Sequence, residues 1–147
     1  CAGESGGSNP EVRRTLAEGF GARVFDHTGG GHAFHGISCD AMDDGCDGMH
    51  FVSEDHCLLE LLDPVSKTPL PLAHGAIGEM VFTFLDWHGG PFMRYALGDL
   101  LQVWTDPCAC GMPGVRFAIL GRTDDMLTVK GVNVYPQAIA NELFSAA

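Results

Sequence analysis

The sequence predicts a fold of the α/β to α+β classes, and three observations along the chain predict it. A capped helical pattern occupies residues 9–21, five strand-like runs follow between residues 56 and 134, and apolar residues at helical spacing reappear after Pro136. The chain has 147 residues and a hydrophobic fraction of 46%, which is enough for a compact core. We therefore expect the end of an α/β layer, then a β-rich subdomain shaped as a distorted barrel, then the start of another small domain.

The first helix is predicted by its caps. Asn9 is a typical N-cap, Pro10 suits the first helical position, and Gly21 ends the pattern. Apolar residues lie four apart along it, at Val12, Leu16 and Phe20. Residues 23–25 then predict a short buried strand, which leads into the acid- and glycine-rich loop "DHTGGGHAFHG" at 26–36. Such a loop at a strand end is where an α/β layer usually places a site.

The rest of the chain is predicted to be mostly β. The strand-like runs are "HCLLELLD", "GEMVFTFLD", "DLLQVWTD", "VRFAILG" and "MLTVKGVNV", and the turn-rich "PVSKTPLPLAHGAI" separates the first two. Pro136 predicts the start of a last helix, because Ile139 and Leu143 lie four apart beyond it.

The charge pattern argues against nucleic-acid and membrane partners. Eight basic and nineteen acidic side chains give a net charge of −11, and no Lys/Arg cluster occurs. No apolar run approaches the roughly 18 to 20 residues of a membrane span, and no signal-peptide pattern opens the chain, so we expect a cytoplasmic protein. The opening "CAGESGG" lacks an initiator Met and the final "NELFSAA" stops within a helical pattern, which predicts a fragment of a longer chain.

Four short motifs carry the chemistry. "GRTDDMLTVKGVNVYP" at 121–136 orders a strand end, an Arg-Thr-Asp-Asp turn, a second strand, a Lys-Gly bend and a helix start. Alone, an Asp-rich turn is most often solvated turn chemistry. Together with "RYALGDL" at 94–100 and with "AGESGG" and "FDHTGGG" upstream, the stretch resembles the adenylate-forming acyl-CoA ligase superfamily. Within it, "CACG" is similar to a distinctive motif of the phenylacetate-coenzyme A ligase family, and the resemblance runs from Gly3 to about Asn141.

The resemblance implies an ATP-dependent aryl-acid:CoA ligase that forms an acyl-adenylate and then an acyl-CoA thioester. Its cofactors would be ATP with Mg²⁺ and coenzyme A, and its partner a small aromatic carboxylic acid. The sequence leaves the oligomeric state open, with a homodimer as one alternative. The implied layout is the end of the nucleotide- and acyl-binding layer at 1–37, a β-rich subdomain at 38–121, and the hinge and beginning of the C-terminal lid at 122–147. The phosphate loop that precedes this segment in the family, and most of the lid, would lie outside it, so the isolated fragment is expected to be inactive.

The resemblance also implies roles for residues of the nucleotide site. Gly3 and Glu4 match the segment that lines the adenine and acyl pocket, and Asp26 and Gly29 match the aromatic-glycine loop after the strand. Asp99 matches the acid that accepts hydrogen bonds from both ribose hydroxyls, a task for a fixed two-oxygen acceptor.

Four further residues match the hinge and its surroundings. Arg122 matches an arginine at the ribose and phosphate end, where its charge would stabilise negative charge that develops near the α-phosphate. Asp124 matches the residue about which the lid turns between the two half-reactions. Lys130 and Gly131 match the bend that closes over the acyl site, where a glycine allows close backbone approach.

The chain departs from the family pattern at the glycine loop. Where relatives usually carry a hydroxyl residue and then a magnesium-binding glutamate, this sequence has Gly30, Gly31 and His32, and Thr28 stands where an aromatic ring is common. Mg²⁺ prefers oxygen ligands, and imidazole is a poor substitute. The departure favours a second hypothesis, a non-catalytic homologue that binds nucleotide or acyl ligand.

The cysteines predict a structural zinc site. "CDAMDDGCDGMHF" and "DPCACG" are two short clusters of the kind that a tetrahedral zinc ion joins, and some relatives of the family carry such a site from a Cys, a His and the CxC pair. The predicted ligands are Cys39 or Cys46, with His50, Cys108 and Cys110. Cys57 lies among leucines and is predicted to be a buried thiol.

Other interpretations of these cysteines stay open. They are free cytosolic thiols, or disulfides in an oxidising compartment. A third hypothesis for the whole chain is an unrelated zinc-stabilised β domain that serves as an interaction module.

Overall fold

The computed structural model describes residues 7, 9–30, 33–42, 45–90, 92–125, 127–129, 132–134, 136, 139 and 143. In these residues one α-helix is followed by short and long strands. Helix α1 spans Pro10–Phe20, and the strands are β1 (His27–Gly30), β2 (Ala33–Ile37), β3 (Met49–Phe51), β4 (Cys57–Leu62), β5 (Pro69–Leu70), β6 (Ile77–Phe84), β7 (Tyr95–Trp104), β8 (Arg116–Arg122), β9 (Leu127–Val129) and β10 (Val132–Val134). The residues form two compact units, Cys1–Ser53 with Trp104–Ala118, and Glu54–Val103 with Ile119–Ala147.

The caps of α1 in the first unit are as predicted. The Asn9 side chain accepts a hydrogen bond from the backbone N–H of Glu11 at 2.9 Å, and Gly21 ends the helix with a left-handed φ of 61°. The apolar stripe does not behave as expected, because Phe20 is 80% exposed while Arg13 is 5% exposed. The Arg13 guanidinium is held by the carbonyl of Gly7, to which its Nη1 donates at 3.0 Å.

Two predictions for the segment after α1 are wrong. Residues 23–25 form no strand, and their side chains are half-buried or exposed. The expected loop at 26–36 is instead largely the antiparallel hairpin of β1 and β2, with an irregular register between Thr28 and Gly29. The reason is that the backbone N–H and C=O groups pair without apolar side chains, so a glycine-rich run of low strand propensity can still form a strand when a partner strand lies beside it.

The first unit continues the hairpin into an antiparallel sheet. β2 pairs with β3, and β3 pairs with the start of β8, where His50 lies opposite Arg116. A short 3₁₀ turn, Asp40–Met42, connects β2 towards β3. Phe117 is fully buried and its ring meets that of Phe51 edge to face, with centroids 6.5 Å apart. This sheet holds His50 at its centre.

The second unit is an antiparallel sheet in the order β5-β4-β6-β7. The predicted runs at β4, β6 and β7 are confirmed, and β7 begins earlier than expected because "RYALGD" is mostly part of the strand. The core of this sheet consists of large apolar side chains with at most 5% exposure: Leu59, Leu61, Met80, Val81, Phe82, Leu100, Leu101 and Val103. Cys57 is 2% exposed on β4, as predicted, and burial raises its pKa to about 11.

The end of the chain has a short hairpin of its own. β9 and β10 pair antiparallel, with Val132 opposite Val129, in the run predicted to be a strand and a bend. Pro136, Ile139 and Leu143 have helical backbone, which agrees with the last helix predicted from their spacing.

One helix and antiparallel strands agree with the predicted α/β to α+β class. The predicted domain boundaries at 37/38 and 121/122 stay a prediction, because the two compact units reflect only which residues pack together. Among the described residues no helix is both long and apolar enough to cross a membrane.

Candidate functional site

Four potential metal ligands converge in the first unit. The sulfur atoms of Cys39, Cys108 and Cys110 and a ring nitrogen of His50 all lie within 4.8 Å of one another. The Cys39 and Cys108 sulfurs are 3.6 Å apart, and the Cys110 sulfur is 3.3 Å from Nε2 of His50. We call these four residues the Cys₃His cluster.

Two separations within the cluster fit a tetrahedral zinc ion. Zn–S bonds of about 2.3 Å and Zn–N bonds of about 2.0 to 2.1 Å place two sulfur ligands about 3.8 Å apart and a sulfur and a nitrogen about 3.5 Å apart. The two measured separations are each within a few tenths of an ångström of these values. The donor set also suits zinc, because three thiolates and an imidazole form a closed structural site with no open position.

Three pieces of the fold place the four ligands. Cys39 immediately precedes the 3₁₀ turn, His50 lies in β3, and Cys108 and Cys110 lie in the loop that leads to β8. The Cys110 sulfur also accepts the backbone N–H of Met112 at 3.4 Å. The ligands differ in burial, because His50 is 0% exposed whereas Cys110 is exposed at the surface.

The pKa values of the cluster residues without metal indicate which protons a metal ion would have to displace. Burial raises the pKa of the Cys108 thiol to about 12, whereas the Met112 N–H is the main cause that lowers the pKa of Cys110. Burial, helped by the charge of Arg116, lowers the pKa of His50 and so favours the neutral imidazole that binds metal. A metal ion must therefore displace the proton of Cys108, and metal binding must release protons.

Cys46 lies beside the cluster but outside it. Its sulfur accepts the backbone N–H of Ala109, between the two cysteines of the CxC pair, at 3.4 Å. Of the two alternatives left open by the sequence, the geometry therefore favours Cys39 as the ligand and gives Cys46 a contact with the loop.

This distinction predicts different outcomes for two serine variants. Cys39→Ser should lower bound zinc well below about one ion per chain, because a hydroxyl replaces a thiolate ligand. Cys46→Ser should leave the zinc content near that of the wild type. Elemental analysis after a chelator wash and zinc reloading measures both. Retained zinc in Cys39→Ser together with lost zinc in Cys46→Ser would reverse the assignment.

A second group of polar residues lies in the other unit, at the end of β8 and in β7. The Arg122 guanidinium donates to both carboxylate oxygens of Asp124, from Nε at 2.8 Å and from Nη2 at 3.0 Å. Its Nη1 lies 3.5 Å from Oδ1 of Asp99 and donates to the carbonyl of Leu97 at 3.3 Å. Among the described residues, no hydrogen bond reaches the Asp99 carboxylate. Asp99 therefore keeps acceptor capacity next to a fixed cation.

Two residues that the sequence did not single out hold this arrangement together. The backbone N–H and the hydroxyl of Thr123 both donate to the carbonyl of Gly98, at 2.6 and 3.1 Å. Gly98 has φ of 81°, and a Cβ there would lie 3.0 Å from Nη2 of Arg122. The sequence signal was the glycine before Asp99, which is explained by its left-handed backbone and by the neighbouring guanidinium.

The electrostatics distinguish the two acids. Burial raises the pKa of Asp99 above its usual value, and the nearby Asp124 adds to the rise while Arg122 opposes it. The hydrogen bonds from Arg122 lower the pKa of Asp124 and raise that of Arg122. Asp124 is thus the main counter-ion of Arg122, and Asp99 is a partly desolvated acceptor.

The other predicted nucleotide-site residues are placed as follows. Asp26 is 5% exposed, its backbone exchanges two hydrogen bonds of 2.8 Å with Ser38, and a Cβ at Gly7 would overlap its carboxylate. Gly29 lies in β1 and is exposed. The remaining predicted residues lie outside the described ones: Gly3, Glu4, Lys130 and Gly131. Every one of these ligand roles stays a prediction.

The sequence is similar to curated ligases over most of this chain, although no family model matches it. It is 39% identical over 130 residues to the phenylacetate-coenzyme A ligase of Thermus thermophilus, in a match that covers 87% of this chain and 28% of that protein. It is 33% identical over 135 residues to the enzyme of the same name from Pseudomonas putida, in a match that covers 90% of this chain and 29% of that protein. The chain thus spans less than a third of the length of these relatives.

The fold is similar to that of a solved acyl-CoA ligase. An open conformation of 2-hydroxyisobutyryl-CoA ligase, in complex with 2-HIB-AMP and CoA, matches 98% of this chain with a TM-score of 0.79 and 31% sequence identity. The match covers 33% of that chain.

Proposed function

Since the chain belongs to the phenylacetate-coenzyme A ligase family over the segment it spans, we propose that it forms part of an ATP-dependent ligase for an aryl carboxylic acid. In the first half-reaction, a carboxylate oxygen of the acid attacks the α-phosphate of ATP and pyrophosphate leaves. In the second, the thiol of coenzyme A attacks the acyl carbonyl and AMP leaves. The chain would supply the ribose contact, the hinge and the beginning of the lid.

The observation that carries this proposal is the Asp99 carboxylate. It is half-buried, it retains acceptor capacity among the described residues, and it lies 3.5 Å from a guanidinium that Asp124 already fixes. A ribose presents two adjacent hydroxyl donors, which a carboxylate can accept together. Arg122 would then stabilise negative charge at the phosphate end without having to reorganise.

The hinge role of Asp124 is supported by its position and contacts. Asp124 lies in the turn after β8, and its carboxylate accepts a hydrogen bond from Arg122, two residues before it. The strand pair of β9 and β10 follows. Rotation of the backbone there would move the segment that includes Lys130 and Gly131, which are proposed to close over the acyl site.

The Cys₃His cluster is proposed to hold a structural Zn²⁺ ion. Cys39, His50, Cys108 and Cys110 would be its four ligands, and the ion would stabilise the fold of the first unit without taking part in the ligase reaction. The reduced thiols that such a site needs support a cytoplasmic location. The proposed ligands of the whole enzyme are the acid, ATP with Mg²⁺ and coenzyme A, and a homodimer is proposed for its assembly.

An exchange experiment tests the proposed function. The matching residues of the Thermus thermophilus ligase would be replaced by this chain, which gives what we call the exchange protein. We expect the exchange protein to form a CoA thioester from phenylacetate and ATP, with AMP as the second product. A folded, zinc-loaded exchange protein that forms neither acyl-adenylate nor thioester would contradict the proposal.

One observation favours a non-catalytic nucleotide-binding homologue as the second candidate. His32 stands where the family usually has the magnesium-binding glutamate. In the exchange protein, His32→Glu separates the two candidates. If the second candidate holds, adenylate formation is absent with His32 and appears with Glu, while AMP binding is the same in both.

A further inference from the structure

Arg116 is a fully buried cation that the proposed ligase reaction does not use. Its side chain is 2% exposed, and arginine is almost never buried to this extent without a partner that compensates its charge. The carboxylate that it meets, Oδ1 of Asp106 at 2.8 Å, belongs to a side chain that is 51% exposed. Solvent screens that pair, so one half-exposed acid compensates the buried charge only in part.

The position of Arg116 relates it to the Cys₃His cluster. It lies directly opposite His50 in the antiparallel pair of β3 and β8. Residues that face each other in this way project to the same side of the sheet, with Cβ atoms about 4.5 to 5.5 Å apart. Nε2 of His50 contacts the sulfur of Cys110 in the cluster. Because Arg116 lies opposite His50, its guanidinium is on the same face of the sheet as this proposed metal ligand.

The hydrogen bonds of Arg116 join the two segments that carry the ligands. Nη1 donates at 2.6 Å to the carbonyl of Asp47, which precedes His50 by three residues. Nη2 donates at 3.3 Å to the carbonyl of Asp106, which precedes Cys108 by two. Nε has no hydrogen-bond partner among the described residues. One side chain therefore ties both ligand segments to β8.

The loaded cluster and Arg116 also have opposite net charges. A Zn²⁺ ion with three thiolates and a neutral imidazole has a net charge of 2 − 3 = −1. Because two of the ligands are buried, this charge is partly desolvated, and it is costly unless an opposite charge lies near it. The guanidinium supplies one positive charge on the same face. We propose that Arg116 is a positioning residue of the metal site that balances the net negative charge of the loaded Cys₃His cluster and holds its two ligand segments in register.

This inference rests on the proposed zinc site, and the experiment separates the two. Zinc affinity would be measured by competition with a chelator for the wild type, Arg116→Met, Arg116→Lys and Arg14→Met. Arg116→Met removes the charge and keeps a side chain of similar length. Arg116→Lys keeps the charge but loses the planar guanidinium that donates from both Nη1 and Nη2. Arg14→Met is the control, because it removes an exposed arginine of the same unit that pairs with Glu11.

We expect Arg116→Met to weaken zinc binding by roughly 10- to 100-fold, as is typical for the outer partners of metal ligands. Arg116→Lys should recover part of this loss, and Arg14→Met should bind as the wild type does. A wild type that binds no zinc would refute the metal site itself. A wild type that binds zinc while Arg116→Met binds it equally well would refute the role of Arg116 alone.

Melting temperatures with and without zinc keep the inference testable if Arg116→Met is less stable. A residue that only ties loops together would lower both melting temperatures by similar amounts, so the increase on zinc loading would be unchanged. A residue that balances the loaded cluster should make this increase smaller in Arg116→Met than in Arg116→Lys. An equal increase in the wild type and both variants would overturn the proposal.

Discussion

Cys108→Ser is expected to release the metal and to lower the melting temperature by roughly 8 to 16 °C. A ligand that binds only the folded state contributes about 4 kcal/mol when its free concentration is about 1,000 times its dissociation constant. For a domain of this size, each kcal/mol corresponds to about 2 to 4 °C. Cys108 is 7% exposed and its sulfur lies 3.6 Å from that of Cys39, so a serine there removes a buried thiolate ligand.

The comparison that isolates the metal is between the variant and the chelated wild type. If the stability lost in Cys108→Ser is that of the zinc site, the variant should melt close to the zinc-free wild type, and added zinc should not raise its melting temperature. Cys46→Ser serves as the matched control, since its sulfur contacts the same loop through the Ala109 N–H. Unchanged zinc content in Cys108→Ser would end the metal assignment.

Asp99→Ala is expected to weaken AMP binding by roughly 100-fold or more in the exchange protein. A hydrogen bond to a charged acceptor contributes about 1.5 to 3 kcal/mol, and the proposed ribose contact includes two of them. Asp86→Ala is the control, because Asp86 is an exposed acid of the same unit that pairs with His56. Equal affinity of the Asp99 variant and the wild type would remove the ribose role.

Asp99→Asn should weaken AMP binding without lowering the stability of the fold. The pKa of Asp99 is raised in the folded chain, mainly by burial, so its ionised form costs stability at every pH above that raised pKa. The cost is relieved as the pH falls through the folded pKa, and Asp99→Asn removes it at neutral pH. We therefore expect Asp99→Asn to melt at the same or a higher temperature than the wild type while it loses AMP affinity. A lower melting temperature would indicate a structural acid.

Much of the fold could be predicted because its signals are local. The caps of α1 and the apolar runs of β4, β6, β7 and β8 lie where expected, since capping and strand patterns depend on neighbouring residues. The hairpin of β1 and β2 was missed because its residues are glycine- and histidine-rich. Only the pairing of their backbones, which involves residues from 27 to 37, makes them strands.

The sequence could predict which residues are candidates for the site, but not which of them come together in space. The sequence supplied the cysteines, His50 and Asp99, yet the choice of Cys39 over Cys46 depends on distances between sulfur atoms. Arg116 gave no sequence signal at all. An arginine at the start of a strand is usually exposed, and its position opposite His50 depends on the register of two strands that are far apart in the chain.

The most direct test of the nucleotide role is a binding cycle with AMP, 2′-deoxy-AMP and 3′-deoxy-AMP, measured on the exchange protein and on its Asp99→Ala variant. If Asp99 accepts both ribose hydroxyls, each deoxy nucleotide should bind the unmodified exchange protein more weakly than AMP, by about 10-fold or more. The variant should then bind all three with similar affinity, because the acceptor is gone. If the deoxy nucleotides lose as much affinity in the variant as in the unmodified protein, Asp99 does not contact the ribose, and the proposed nucleotide role of this segment is wrong.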